Sequence, residues 1–244
     1  MRRLPVAVNS GSMPLLLISS SSVHGYGYLD HSEPEIRRIL EGVRRVAFVP
    51  FALKDRDAYT EKVRERLTRM DVAEVVQVDG PAEIDSADAV FVGGGNTFRL
   101  LKELYERKLM TPIRERVRGG LPYIGSSAGT NLAGPTIKTT NDMPIVQPPS
   151  FEAFGFVPFQ INPHYLDPEP GSTHQGETRE ERIREFLEEN DTPVVALREG
   201  TVLRVEEQAT TLIGIRNARL FRSGAYPLEI EPGSRIEEFL QAPG

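Results

Sequence analysis

The 244 residues contain no cysteine. That excludes a disulfide framework, a thiol nucleophile and a cysteine-ligated metal, and it points to a reducing compartment, the cytoplasm. Long hydrophobic runs are missing as well. The longest, Leu15-Leu16-Leu17-Ile18, is far too short to cross a bilayer. Nor is there a basic excess: 29 Lys and Arg face 35 Asp and Glu, a formal charge of −6, which argues against a nucleic-acid partner. Met1-Arg2-Arg3 is not followed by an apolar segment or small-residue cleavage site before Met13, so no secretory signal is indicated. Residues 1–13 read instead as a flexible leader or an appended scar. No internal repeat or low-complexity segment is present.

What is there is globular. A chain with 39% hydrophobic and 26% charged residues is not a long disordered one. Its length favours one large domain, assigned to residues 14–244. Short apolar runs alternate with charged amphipathic segments. Leu15–Ile18, Arg45–Val49, Ala89–Val92 and Pro122–Gly125 read as buried strands, and Val72–Val78 as an edge strand. Between them Glu33–Gly42, Ala58–Met70, Phe98–Lys108 and Pro112–Arg118 read as helices, the first with Ser32 and Glu35 as a capping box. This order predicts an α/β fold in three layers, a mostly parallel sheet with helices on both faces. After a helix over Thr178–Leu187, the segments Pro193–Leu197, Thr201–Val205, Thr210–Ile215 and Arg219–Phe221 predict an antiparallel C-terminal extension of the same sheet.

Ligands of open α/β sheets bind beyond the carboxyl ends of the strands. Two loops rich in chemistry fall at such ends. Gly93-Gly94-Gly95-Asn96-Thr97 lets backbone N–H groups approach a bound oxygen closely. It lacks the spacing of a dinucleotide fingerprint and the lysine of a phosphate loop, so no nucleotide cofactor is expected. Gly125-Ser126-Ser127-Ala128-Gly129 has the G-x-S-x-G pattern of a nucleophile elbow with Ser127 at its centre. A serine needs a base, and four histidines are available. His24 and His31 sit in the first loop and His174 in a polar segment. His164 ends the strand-like Phe159–Asn162, where its imidazole can reach the serine. Too few residues separate the two for the usual α/β-hydrolase connectivity. Asp142 and Glu199 are both candidates to orient the imidazole, and the residues alone do not choose.

The stretches VGGGNTFRLLKELYERKL, YIGSSAGTN, TTNDMPIV, INPHYLD and GETREERIRE, in that order, resemble the peptidase E family of serine-type aspartyl dipeptidases. With LLLISSSSVHGYGYL and VAFVPFA the likeness covers nearly the whole chain after Met13. The resemblance implies a class I glutamine amidotransferase-like fold in which serine replaces cysteine. By motif, Ser127 matches the nucleophile and His164 the general base, while Asp142 and Glu199 each match an acid assigned to the relay. Gly95 and Ala128 are the expected oxyanion donors, and Asn96 is a candidate for the substrate backbone. Arg179 is expected to hold the aspartate carboxylate, since a guanidinium fork matches it. Ser126, where the family also admits tryptophan, is expected on the pocket rim. The implied substrate is a small Asp-X dipeptide, with no metal, no cofactor and no membrane partner; a homodimer fits the family. Two rivals stand beside this reading. One is a cyanophycinase-like peptidase acting on β-linked aspartyl peptides, and the other a non-catalytic module binding an anion.

Overall fold

The computed structural model describes residues 13–168, 171, 176–207 and 209–241. All of the expected leader except Met13 lies outside these residues, as does His174. In chain order the elements are β1 (Leu15–Ile18), α1 (Glu33–Ile39), β2 (Arg45–Val49), α2 (Arg56–Thr68), β3 (Glu74–Gln77), α3 (Pro81–Asp85), β4 (Ala89–Val92), α4 (Thr97–Glu106), α5 (Met110–Arg118), β5 (Tyr123–Ser126) and α6 (Ala128–Asn131). Then follow β6 (Gln160–Tyr165), α7 (Arg179–Glu189), β7 (Val194–Arg198), β8 (Thr201–Glu206), β9 (Ala209–Gly214), β10 (Ala218–Phe221), β11 (Leu228–Ile230) and α8 (Ile236–Leu240).

A seven-stranded sheet runs β3-β2-β4-β5-β1-β8-β9, parallel from β3 to β1 and antiparallel at β8 and β9. Its central strands are continuous apolar runs because both faces are covered. Alternate residues serve opposite sides. Leu15, Leu17, Ala47, Val49, Val90 and Val92 pack with Leu100, Leu104, Ile113 and Val117 of α4 and α5. Leu16, Ile18, Val46, Phe48, Ala89 and Phe91 pack with Ile36, Val63 and Leu67 of α1 and α2. The three layers follow from that period of two.

The C-terminal strands divide. β8 and β9 extend the main sheet antiparallel as expected, but β7 and β10 do not join it. They form a second, four-stranded sheet, β11-β10-β7-β6, in which β6 and β7 are parallel. The Glu199-Gly200 turn sends the chain from one sheet to the other, with Gly200 at φ 84°. Two local expectations also change. Ser32 makes no side-chain cap on α1 because its buried hydroxyl donates to Leu29 O, at the end of a 3₁₀ turn over Asp30–Ser32. Glu35 reaches instead across to Arg204 at 3.0 Å, and α1 stops at Ile39 rather than Gly42.

Candidate active site

Ser127 sits between the end of β5 and the start of α6 with φ 53° and ψ −108°, a conformation uncommon for a residue with a side chain. The flanking glycines are a steric requirement. A Cβ on Gly125 would lie 2.6 Å from Gly129 O, and one on Gly129 would lie 2.1 Å from Val92 O. Ser127 N–H donates to Ile18 O at 2.9 Å, and Thr130 Oγ1 lies 2.7 Å from Ile18 O and 2.8 Å from Gly125 O, tying the turn to β1. Ser126 is not on the rim: as the last residue of β5 it pairs with Ile18, fully buried, its hydroxyl without a partner among the described residues.

His164 reaches the serine through a backbone irregularity. The pairing of β6 with β7 shifts between Pro163 and Tyr165, and His164 adopts φ 55°. Such a bulge bends the strand locally and re-aims one side chain. The imidazole then stands between two partners, with Nε2 2.9 Å from Ser127 Oγ and Nδ1 3.0 Å from Glu199 Oε1. Ser19, just past β1, braces the arrangement: its Oγ donates to Leu197 O at 2.8 Å and accepts from His164 N–H at 3.1 Å. Glu199 opens the turn between β7 and β8, directly after Arg198. Arg198 grips Asp167 with both Nε and Nη2, at 2.6 and 2.7 Å, and also contacts Glu229. Hydrogen bonds from Arg198 hold the Asp167 carboxyl below the usual carboxylate range.

Asp142 is elsewhere in the same cleft. Its Oδ2 accepts from Thr97 N–H at 2.7 Å, Thr97 Oγ1 at 2.6 Å and Thr140 Oγ1 at 3.3 Å, with no bond to His164. Asn96 caps α4 by accepting from Arg99 N–H and donates Nδ2 to Met143 O. Its amide is engaged at both ends, so it braces the loop around Asp142, with one Nδ2 hydrogen and one Oδ1 lone pair beyond these bonds. Gly94 N–H donates to Tyr59 Oη at 2.9 Å. Gly95, at φ 134°, has no room for a side chain, a Cβ lying 2.7 Å from Ala52 O. Ala128 opens a helix, where an N–H has no intrahelical acceptor. Gly95 lines the same cleft as Ser127, and Ala128 follows Ser127 directly in the chain.

The cleft has a volume of about 730 Å³, and Ser127, His164, Glu199, Asp142, Gly94 and Gly95 all line it. Sequence reading passed over Tyr28, Asp55, Tyr59 and Lys62, which line it too. Lys62 Nζ stands 4.1 Å from the Tyr28 ring centre. Nothing in the sequence marks it, because a lysine on a charged helix face reads as solvated. Arg179 is not in the cleft wall; it is the first residue of α7, part-buried. Burial and then Arg182 lower its pKa, while the charge of Asp142 opposes them. His24 is exposed, and His31 is part-buried with both ring nitrogens unpartnered among the described residues.

A family model described as peptidase family S51 matches residues 15–213. A protein named peptidase E from Streptomyces coelicolor is 58% identical over 235 residues, spanning 95% of this chain and 97% of its own. One from Drosophila melanogaster, named "Probable alpha-aspartyl dipeptidase", is 51% identical over 233 residues, 93% of this chain and 97% of its own. The crystal structure of a peptidase from an acI-B1 actinobacterium superposes with a TM-score of 0.64 over 92% of this chain and 96% of that one. At 17% identity that likeness concerns the fold.

Proposed function

From the premise that this chain belongs to peptidase family S51, and is a serine-type hydrolase, we propose that it cleaves dipeptides with a free N-terminal aspartate through Ser127, His164 and Glu199. The observation that carries this reading is the unbroken run Ser127 Oγ, His164 Nε2, His164 Nδ1, Glu199 Oε1, with steps of 2.9 and 3.0 Å, at the carboxyl ends of the strands.

The chemistry is acyl transfer. Ser127 Oγ attacks the scissile carbonyl while its proton passes to His164 Nε2, and Glu199 balances the imidazolium that forms. Gly95 and Ala128 N–H groups receive the oxyanion, an interaction that strengthens as charge develops. His164 then hands its proton to the leaving amine. Water, deprotonated by the same imidazole, attacks the aspartyl ester and releases aspartate. Arg179 is the proposed partner of the substrate's β-carboxylate. Lys62 is the second reading for that role, favoured by its place in the cleft wall.

A cytoplasmic location suits a chain without cysteine; among the described residues no helix is long and apolar enough to cross a membrane. A homodimer is part of the proposal on family likeness alone. The deciding experiment compares Asp-X, Ala-X, Glu-X and β-linked aspartyl peptides in wild type, Ser127→Ala, Arg179→Ala and Lys62→Ala. Hydrolysis confined to Asp-X and abolished in folded Ser127→Ala is expected, and unaltered activity in that variant sinks the assignment. The cation that reads aspartate is the one whose removal, in a folded variant, lowers Asp-X hydrolysis about 10- to 100-fold with the loss carried mainly by KM. Cleavage of β-linked peptides in place of Asp-X moves the protein to the cyanophycinase-like reading.

A further inference from the structure

We propose that Asp142 is the acceptor for the substrate's α-ammonium group, a binding residue outside the proton relay. The inference rests on the aspartyl dipeptidase reading and deepens it, since a substrate defined by a free N-terminus needs an anion to recognise that terminus.

An imidazole has two nitrogens, and both of His164's are committed, one to Ser127 and one to Glu199. No position is left at the ring for a second carboxylate. Asp142 nevertheless lines the same cleft as the nucleophile. Its carboxylate is fixed there by hydrogen bonds: Oδ2 alone takes Thr97 N–H, Thr97 Oγ1 and Thr140 Oγ1. Thr97 is the first residue of α4, a helix of 10 residues whose N-terminal dipole favours negative charge. None of those bonds uses Oδ1, which leaves one oxygen to receive a cation.

The position suits an ammonium group. Thr97 follows two residues after Gly95, so the carboxylate is fixed beside the expected oxyanion donor. In an N-terminal residue the α-ammonium is carried by the carbon bonded to the scissile carbonyl carbon. A group that holds the carbonyl oxygen therefore has the ammonium as its close neighbour. The loop is also rigid on both sides of Asp142. Asn141 Nδ2 donates to Pro163 O at 2.7 Å, Asn162 Nδ2 donates to Asn141 Oδ1 at 3.0 Å, and Asn96 Nδ2 donates to Met143 O at 2.9 Å. These bonds tie it to the strand bearing His164 and to the helix following the glycine loop, as a fixed substrate anchor requires.

The other acids of the cleft are worse placed. Glu199 is engaged by His164, and Asp55 is an exposed N-cap whose Oδ1 accepts from Ala58 N–H. Charge adds a further argument. Arg179 lies within electrostatic reach of Asp142. Aspartate presents its ammonium and β-carboxylate on adjacent carbons, and this pair of opposite charges matches them.

The test compares Asp-X with succinyl-X, which lacks only the ammonium, in wild type and Asp142→Asn. Wild type is expected to prefer Asp-X by about 10- to 100-fold in kcat/KM, the scale of hydrogen bonds to a charged group. In Asp142→Asn that preference collapses, with the loss for Asp-X falling mainly on KM. Equal losses on both substrates, carried by kcat, overturn the proposal and return Asp142 to the relay. A measurement on wild type guards against a variant that fails to fold: free L-aspartate should inhibit at least about 10-fold more tightly than succinate. Equal inhibition overturns the inference while leaving the dipeptidase reading intact, whereas a wild type inert toward every Asp-X peptide sinks both.

Discussion

Replacing Glu199 by glutamine keeps the side chain's shape and removes its charge, isolating one interaction of the proposed relay. Glu199 Oε1 is 3.0 Å from His164 Nδ1, and the two side chains are 41% and 38% exposed. When His164 takes the serine proton, charges centred about 4 Å apart attract by roughly 1 kcal/mol in bulk water and about 4 kcal/mol at an effective dielectric of 20. Partial exposure puts the pair between those limits, so about 1–3 kcal/mol of transition-state stabilisation is at stake, a roughly 5- to 150-fold fall in kcat. An amide turned with its nitrogen toward Nδ1 would favour the wrong tautomer and push the loss to the upper end. The assay is initial-rate hydrolysis of an Asp-X dipeptide over a range of concentrations. The fall should appear in kcat with KM nearly constant, because Glu199 acts on the imidazole and not on the bound peptide. A folded Glu199→Gln enzyme with kcat within about twofold of wild type would refute the electrostatic argument.

The glycine loop gives a second prediction. A methyl group on Gly94 would stand 2.9 Å from Ser127 Cβ and 3.1 Å from Ser126 O, so the nucleophile or the loop must move. Gly94→Ala should cost about 1–3 kcal/mol of stability by overpacking and lower kcat by about 10²-fold through misplacement, read by calorimetry and steady-state kinetics; wild-type turnover would count against the steric reading. A third concerns acid. Arg198 lowers the Asp167 pKa below its unfolded value, so the stability from this pair is complete above the ordinary carboxylate range and lost as pH falls through the lowered value. The effect is modest, about 1 kcal/mol or less, because Asp167 is half-exposed. Arg198→Met should flatten the fall of Tm between about pH 5 and pH 2, and an unchanged slope would remove Asp167 from the acid response.

The sequence was legible where function is imposed by local backbone geometry. Gly125 and Gly129 are small because Gly129 O and Val92 O leave no space for a Cβ, and that demand falls inside one short stretch of chain. The buried runs Leu15–Ile18 and Ala89–Val92 were equally readable, since strands covered on both faces must be continuously apolar. Relations across sheets were not. Whether Asp142 or Glu199 meets His164 depends on β7 pairing with β6 instead of joining the main sheet, and on a bulge that turns His164 to φ 55°. Neither leaves a mark on composition or periodicity, and both acids look like turn residues. The same holds for Lys62, whose charge reads as solvated until α2 is packed beside the glycine loop. Asp142 is the instructive case. Its family likeness points to the relay, while Thr97 and Thr140 hold it away from the imidazole and toward the cleft. Under the proposed roles, one carboxylate completes the relay and the other receives the ammonium, which gives each of these two acids of the cleft a separate task.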